Sequence, residues 1–215
     1  MTRARSRSGT RATVLSLLAV SGIASAPAAD GPGLAAAQPG CLPGNRGFLQ
    51  ASLRGALQAT LDWRGEVLDC QGGARAEAQG IRLSLSGPLS SANRRLRIIV
   101  GVAAMPGRSA SGPLPANVTV IVEGENRIFA TRGEHGCEVE SLQQQPLPLA
   151  KASKPVAGAT VRQFRVAVRG FCIDPLPLLS ASTDDRADKL YIDRFDFASL
   201  AGFSPESLDA TIAAY

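Results

Sequence analysis

Apolar and polar residues alternate along most of the chain from Phe48 onward, and a period of two is the signature of half-buried strands. Leu57, Ala59, Leu61 and Trp63 alternate with Gln58, Thr60 and Asp62. Ile81, Leu83 and Leu85 alternate with Arg82, Ser84 and Ser86. The same rhythm returns in Leu96, Ile98, Val100 and Val102, and again in Val118, Val120 and Val122. Phe164, Val166 and Val168 face away from Arg165 and Arg169, and Leu190 and Ile192 lead into Arg194-Phe195-Asp196-Phe197. In that last stretch the two phenylalanines are expected in the core and their charged neighbours outside. No helical period of ordinary length runs through this region. Gly55 and the alternation after it set Gln50 to Leu61 against a helix.

Breakers separate the runs, at Gly87-Pro88, Pro106-Gly107, 112–115, Gly124-Glu125-Asn126 and 146–155. Val120 to Phe129 makes the clearest hairpin, turning at Gly124 to Asn126. Pro-Leu-Pro recurs at 113–115, 146–148 and 175–177. The unequal intervals point to stiff loops at sheet edges rather than a repeat architecture. Seven to nine short strands with frequent turns define an all-β fold. The expectation is an antiparallel β-sandwich over residues 47–200, of jelly-roll or immunoglobulin-like topology. Ser204-Pro205-Glu206 places a capping serine before a proline at a first helical position. Residues 201–215 are therefore expected to form a tail or a short helix.

The N-terminus changes the meaning of the totals. Arg3, Arg5, Arg7 and Arg11 precede an apolar run, Ala12 to Ala24, of 13 residues, and small residues follow. This is the pattern of a Sec-type signal peptide, residues 1–28, with cleavage expected after Ala28 in Ala26-Pro27-Ala28. The run is shorter than the roughly 20 residues a spanning helix needs, so no retained membrane anchor is expected. Residues 29–46, rich in Ala, Gly and Pro, read as a tether. The whole chain carries 23 Lys and Arg against 18 Asp and Glu, a net charge of +5. Four of the arginines belong to the signal, which leaves the exported part at +1. The basic balance is thus largely an export signal. Nucleic-acid binding needs a clustered basic surface, and Arg94-Arg95-Leu96-Arg97 is the main cluster left. It reads as solvated arginines where a strand begins.

Four cysteines in an exported chain imply two disulfides and a periplasmic or secreted address. Three pairings of Cys41, Cys70, Cys137 and Cys172 are possible. Two strand ends, Phe129 to Gly133 and Val168 to Gly170, are each followed closely by a cysteine. This favours Cys137 with Cys172, leaving Cys41 with Cys70 to tie the tether to the first hairpin region.

Candidate chemistry is sparse. His135, the single histidine, stands two positions from Cys137. A catalytic pair needs a thiolate beside a histidine held by a third group, usually brought together from distant positions. A structural zinc site needs four nitrogen or sulfur ligands with paired short spacings, and the chain has no CxxC and no second histidine. His135 is instead expected in an exposed turn beside a disulfide, able to charge near its reference pKa of about 6.5. Glu123 and Glu125 flank Gly124 at the hairpin tip. A glycosidase would need two carboxyl groups about 5–9 Å apart across a cleft, whereas a hairpin tip is ordinarily solvated. Asp184-Asp185-Arg186-Ala187-Asp188 lacks the spacing and glycine of a calcium loop and reads as a turn. Trp63 is either a core anchor or a platform for stacking a sugar. Aromatic residues make up only 5% of the chain, too few for a stacked aromatic site. Phosphate loops, dinucleotide fingerprints and hydrolase motifs are missing, so no cofactor or metal is expected.

The segments TRGEHGC, VEGENRIF, VRGFC and RFDF resemble stretches of uncharacterised exported proteins of Gram-negative bacteria, over roughly residues 56–200. The resemblance implies export and a β-rich fold and carries no activity. The expectation is a non-catalytic binding or assembly module of the bacterial cell envelope, contacting protein or glycan through its loops. Trp63, Glu123, Glu125 and His135 are its candidate contact residues. One alternative is a small secreted hydrolase using acids such as Glu123, Glu125, Asp193 and Asp196. Another is a strand-exchanging structural subunit, which would need an unpaired hydrophobic edge.

Overall fold

A computed structural model describes residues 41–75, 80–89, 94–133, 136–148, 161–179 and 188–209. The proposed signal peptide, the first part of the tether, His135, residues 184–187 and the last residues of the tail lie outside this set. The described residues form one sheet of eleven strands: β1 (Phe48–Gly55), β2 (Ala59–Arg64), β3 (Asp69–Ala74), β4 (Ile81–Pro88), β5 (Arg95–Val102), β6 (Ala110–Glu123), β7 (Arg127–Ala130), β8 (Cys137–Pro146), β9 (Arg162–Cys172), β10 (Leu176–Pro177) and β11 (Lys189–Phe203). A single short α-helix follows, α1 (Pro205–Asp209).

The class is all-β and mainly antiparallel, as the alternation predicts. The count exceeds seven to nine because β7 and β10 are too short to show a period. Both matter to closure. The β6 strand pairs with β5 along one edge and shares its other edge between β8 and β7. Likewise β11 carries β9 and β10 on one edge, with β1 and β3 on the other. At one end the ring runs from β3 through β4, β5, β6, β8 and β9 to β11, and a parallel pair, Gly202 with Gly73, closes it. Towards the other end, Leu178 beyond β10 bridges Phe129 of β7, which closes the side of the sandwich there. The result is barrel-like, with its inward faces in one core.

That core follows the alternation closely. In β5, Leu96, Ile98, Val100 and Val102 are buried while Arg95, Arg97, Ile99 and Gly101 are not. Two bulges explain where the period slips. In β11 the register jumps between Ile192 and Arg194, so Asp193 is an extra residue and the inward sequence passes from Ile192 to Phe195. In β8 Glu140 is the extra residue, and burial passes from Val139 to Leu142. A third irregularity, between Ser111 and Leu114, accommodates Gly112-Pro113 inside β6. The first Pro-Leu-Pro thus lies within a strand rather than in a loop. The third enters β10.

The turn chemistry is local and matches expectation. Gly124 and Asn126 take positive φ in the β6–β7 hairpin, and the Glu125 amide donates to the Val122 carbonyl at 3.3 Å. Ser204 caps α1, accepting from the Ser207 amide at 3.3 Å, with Pro205 first in the helix. A buried polar residue closes one end of the core. Gln144 Oε1 accepts from the Gly107 amide at 2.8 Å, and its Nε2 donates to the Met105 and Arg108 carbonyls at 2.8 and 2.5 Å. The β5–β6 loop is held against the sheet by this side-chain amide and by the Gln144 backbone amide, which donates to Ser109 Oγ at 2.9 Å.

Candidate functional site

Both disulfides are formed, Cys137 with Cys172 and Cys41 with Cys70. Cys137 and Cys172 are direct cross-strand partners at the ends of β8 and β9. The strand-end reasoning therefore locates the bond, and Cys137 has no free thiol for catalysis. Cys41 and Leu42 are buried, so the end of the Ala/Gly/Pro-rich segment lies against the domain. Its disulfide sits where β11 passes from its β1 neighbour to its β3 neighbour, and Cys70 Sγ accepts from the Leu200 amide at 3.3 Å. Two formed disulfides suit an oxidising compartment outside the cytosol. No helix among the described residues is long and apolar enough to cross a membrane.

The carboxylates of the hairpin tip meet arginines. Arg97 approaches Glu123 at 2.8 Å and Arg95 approaches it at 3.7 Å, while Arg95 also reaches Asp69 at 2.5 Å. Arg94 contacts Glu125 at 2.6 Å, and Arg127 lies 3.4 Å from the same carboxylate. The Arg94–Arg97 cluster and the two glutamates are thus one ladder across β5, β6 and the hairpin. Hydrogen bonding by Arg94 holds the Glu125 carboxyl below the usual carboxylate range, against a smaller desolvation effect. A general acid needs the opposite shift. Arg54 of β1 binds Asp193 of β11, with Nε to Oδ2 at 2.6 Å, and lowers its pKa too. Arg169 lies 3.3 Å from Asp196. Each acid proposed for hydrolysis is engaged by an arginine in its own part of the surface.

Trp63 is 3% exposed. Its Nε1 donates to the Pro88 carbonyl at 2.9 Å, and its ring lies so close to Gly87 that a Cβ there would meet Cε2 at 2.7 Å. This corrects the sugar-platform expectation, because a buried indole offers no face to a ligand. Phe195 and Phe197 are buried, as expected from the alternation. Among the described residues, no three His, Cys, Asp or Glu side chains gather as metal ligands.

Among the described residues β2 is an edge strand, paired with β1 alone. Its inward residues Leu61 and Trp63 are buried, while Asp62 and Arg64 face out and pair at 2.9 Å. A short edge carrying charges discourages pairing with another chain. It is a poor match for the hydrophobic edge that strand exchange requires.

Two hollows lie among the described residues. One, of about 220 Å3, lies where β6 parts into β7 and β8, between Thr131, Gly136, Asp174 and Lys189. The other is a trough of about 330 Å3 on the outer face of β3, β4 and β5, lined by Gln71, Gly73, Arg82, Ser84, Arg97 and Ile99. Sequence reasoning passed over the second because its residues are unremarkable one by one. The available signal was Gly101, a glycine near the end of an otherwise apolar run, Ile98 to Val102, beside the trough. No protein-family model matches the chain, and comparisons with curated proteins and with solved structures give no match.

Proposed function

We propose that this chain is an exported, non-catalytic binding or assembly module of the bacterial cell envelope, working in the periplasm or outside the cell. The observation that supports this most is the pairing of its acids. Glu123, Glu125, Asp193 and Asp196 are each engaged by arginine, and two of them have lowered pKa values. Acids held as carboxylates by neighbouring cations serve structure and recognition better than proton transfer. Apolar side chains line the interior, so recognition falls to the outer face and the loops. Glycan or protein of the envelope is the partner class.

The test is co-sedimentation of the purified chain with isolated cell-wall glycan. Saturable binding without release of reducing ends is the expected result. Release of reducing ends that disappears in Glu125→Gln or Asp193→Asn would overturn the reading in favour of a hydrolase.

A further inference from the structure

We propose that the outer trough of β3, β4 and β5 binds an acidic saccharide, whose carboxylate or phosphate sits between Arg82 and Arg75. The inference goes beyond the binding-module reading, since it assigns one face and one ligand class. Failure of the site would leave the other faces of the module open to a partner.

The first observation is charge. Arg54, Arg94, Arg95, Arg97, Arg127 and Arg169 each meet an acid. Among the described residues Arg46, Arg132, Arg162, Arg165 and Arg194 meet no acid, and neither do Arg82 and Arg75. Those last two are neighbours. Arg82 pairs across β4–β5 with Gly101, and the Arg75 guanidinium lies over that same glycine, its Nη1 3.9 Å from where a Cβ would stand. Two neighbouring arginines that meet no acid among the described residues attract a carboxylate or phosphate, which each can engage through paired N–H donors.

The second observation is space. Gly73, Arg82 and Gly101 lie in one row across the sheet, with Gly202 beyond Gly73. Packing accounts for two of these glycines. A Cβ on Gly202 would meet Val161 at 2.7 Å, and one on Gly73 would meet the Gly202 carbonyl at 3.2 Å, at the seam that closes the ring. Gly101 is different. A Cβ there would meet nothing nearer than 3.9 Å, and its φ is not in the left-handed region. A strand interior gains from a side chain, and here the absence of one leaves room for the Arg75 guanidinium to lie over the strand beside Arg82.

The third observation is the lining. Ser84 and Gln71 pair directly across β3–β4 one row further along, with Ile99 beside Ser84. They offer hydroxyl and amide groups next to one apolar surface, which suits the hydroxyls and the ring face of a sugar. A volume of about 330 Å3 is of small-ligand size. The lining has no aromatic residue, which argues against a protein hot spot.

The experiment is a titration of the full chain, followed by amide NMR shifts and calorimetry, with glucuronate, glucose 1-phosphate, glucose and inorganic phosphate. Glucuronate and glucose 1-phosphate should bind saturably, shift the amides of Gln71, Ser84 and Ile99, and weaken with added salt. Arg82→Gln should weaken binding at least tenfold, and so should Gly101→Val, which displaces the Arg75 guanidinium with a residue suited to a strand. Preference for the uronate or for the phosphate identifies which anion the site is built for. Binding of glucose as tight as that of the acidic sugars would overturn the proposal. So would undiminished affinity in folded Arg82→Gln, or no binding by either acidic sugar. Inorganic phosphate binding as tightly as glucose 1-phosphate would overturn its saccharide part.

Discussion

At the scale of the residue, Trp63 shows how one side chain can join two strands that no ladder connects. Its indole lies on Gly87 and its N–H reaches Pro88, so β2 is held against β4 by a ring and one hydrogen bond. Trp63→Ala should destabilise the fold by about 3–5 kcal/mol, read as a lower urea midpoint at an unchanged slope. Trp63→Phe keeps much of the buried area, and losing its hydrogen bond should cost about 1 kcal/mol. Glu125 makes a pH-dependent case. Its pKa is lowered in the folded state, chiefly by the hydrogen bond from Arg94. A lowered carboxylate contributes stability that is present above its unfolded pKa and lost as pH falls through the folded value. The melting temperatures of the wild type and Glu125→Gln should therefore differ at neutral pH and converge as pH falls through the lowered folded-state value. A constant gap across that range would contradict the ion pair as its cause.

At the scale of the element, the bulges do work that a plain alternation could not. Asp193 and Glu140 each shift the phase by one residue, so a long strand can keep its apolar side inward as the sheet bends. Asp193 also projects outward to Arg54. The disulfides act on elements as well. Cys137–Cys172 spans a sequence separation of 35 and Cys41–Cys70 one of 29. Each should contribute about 2–4 kcal/mol by restricting the unfolded chain. Reductant should lower the melting temperature, and Cys41→Ser with Cys70→Ser should do so without loss of the β-sheet spectrum. Equal melting temperatures with and without reductant would show that the bridges are not structural. The strands from Ile81 to Val122, the β6–β7 hairpin and the Ser204 cap were legible beforehand, because each depends on residues a few positions apart. β7 and β10 were not, being too short to carry a period.

At the scale of the molecule, closure depends on partners far apart in the chain. Phe48 pairs with Ala198, and Gly73 with Gly202. Such a topology must close long loops before its contacts form, so refolding from urea should take milliseconds to seconds. Stopped-flow tryptophan fluorescence follows it directly, since Trp63 is the single tryptophan and is buried. Completion within microseconds would mean that local structure dominates, contrary to this pairing scheme. The candidate site belongs to the same scale. Arg75, Arg82 and Gly101 come from three segments, and only strand order and register set them side by side.

The alternation by itself determined the all-β class, the inward faces of the main strands and the strand ends that bring Cys137 to Cys172. These follow from a two-residue period and from turn residues, which act within a few positions. Tertiary structure alone decided that the sheet closes, that Trp63 faces inward onto Gly87, and that each candidate acid meets an arginine. It also decided that Arg75 lies over Gly101 beside Arg82, neither meeting an acid among the described residues. Those outcomes depend on register between distant strands, and a one-residue slip would move every one of these side chains to the opposite face.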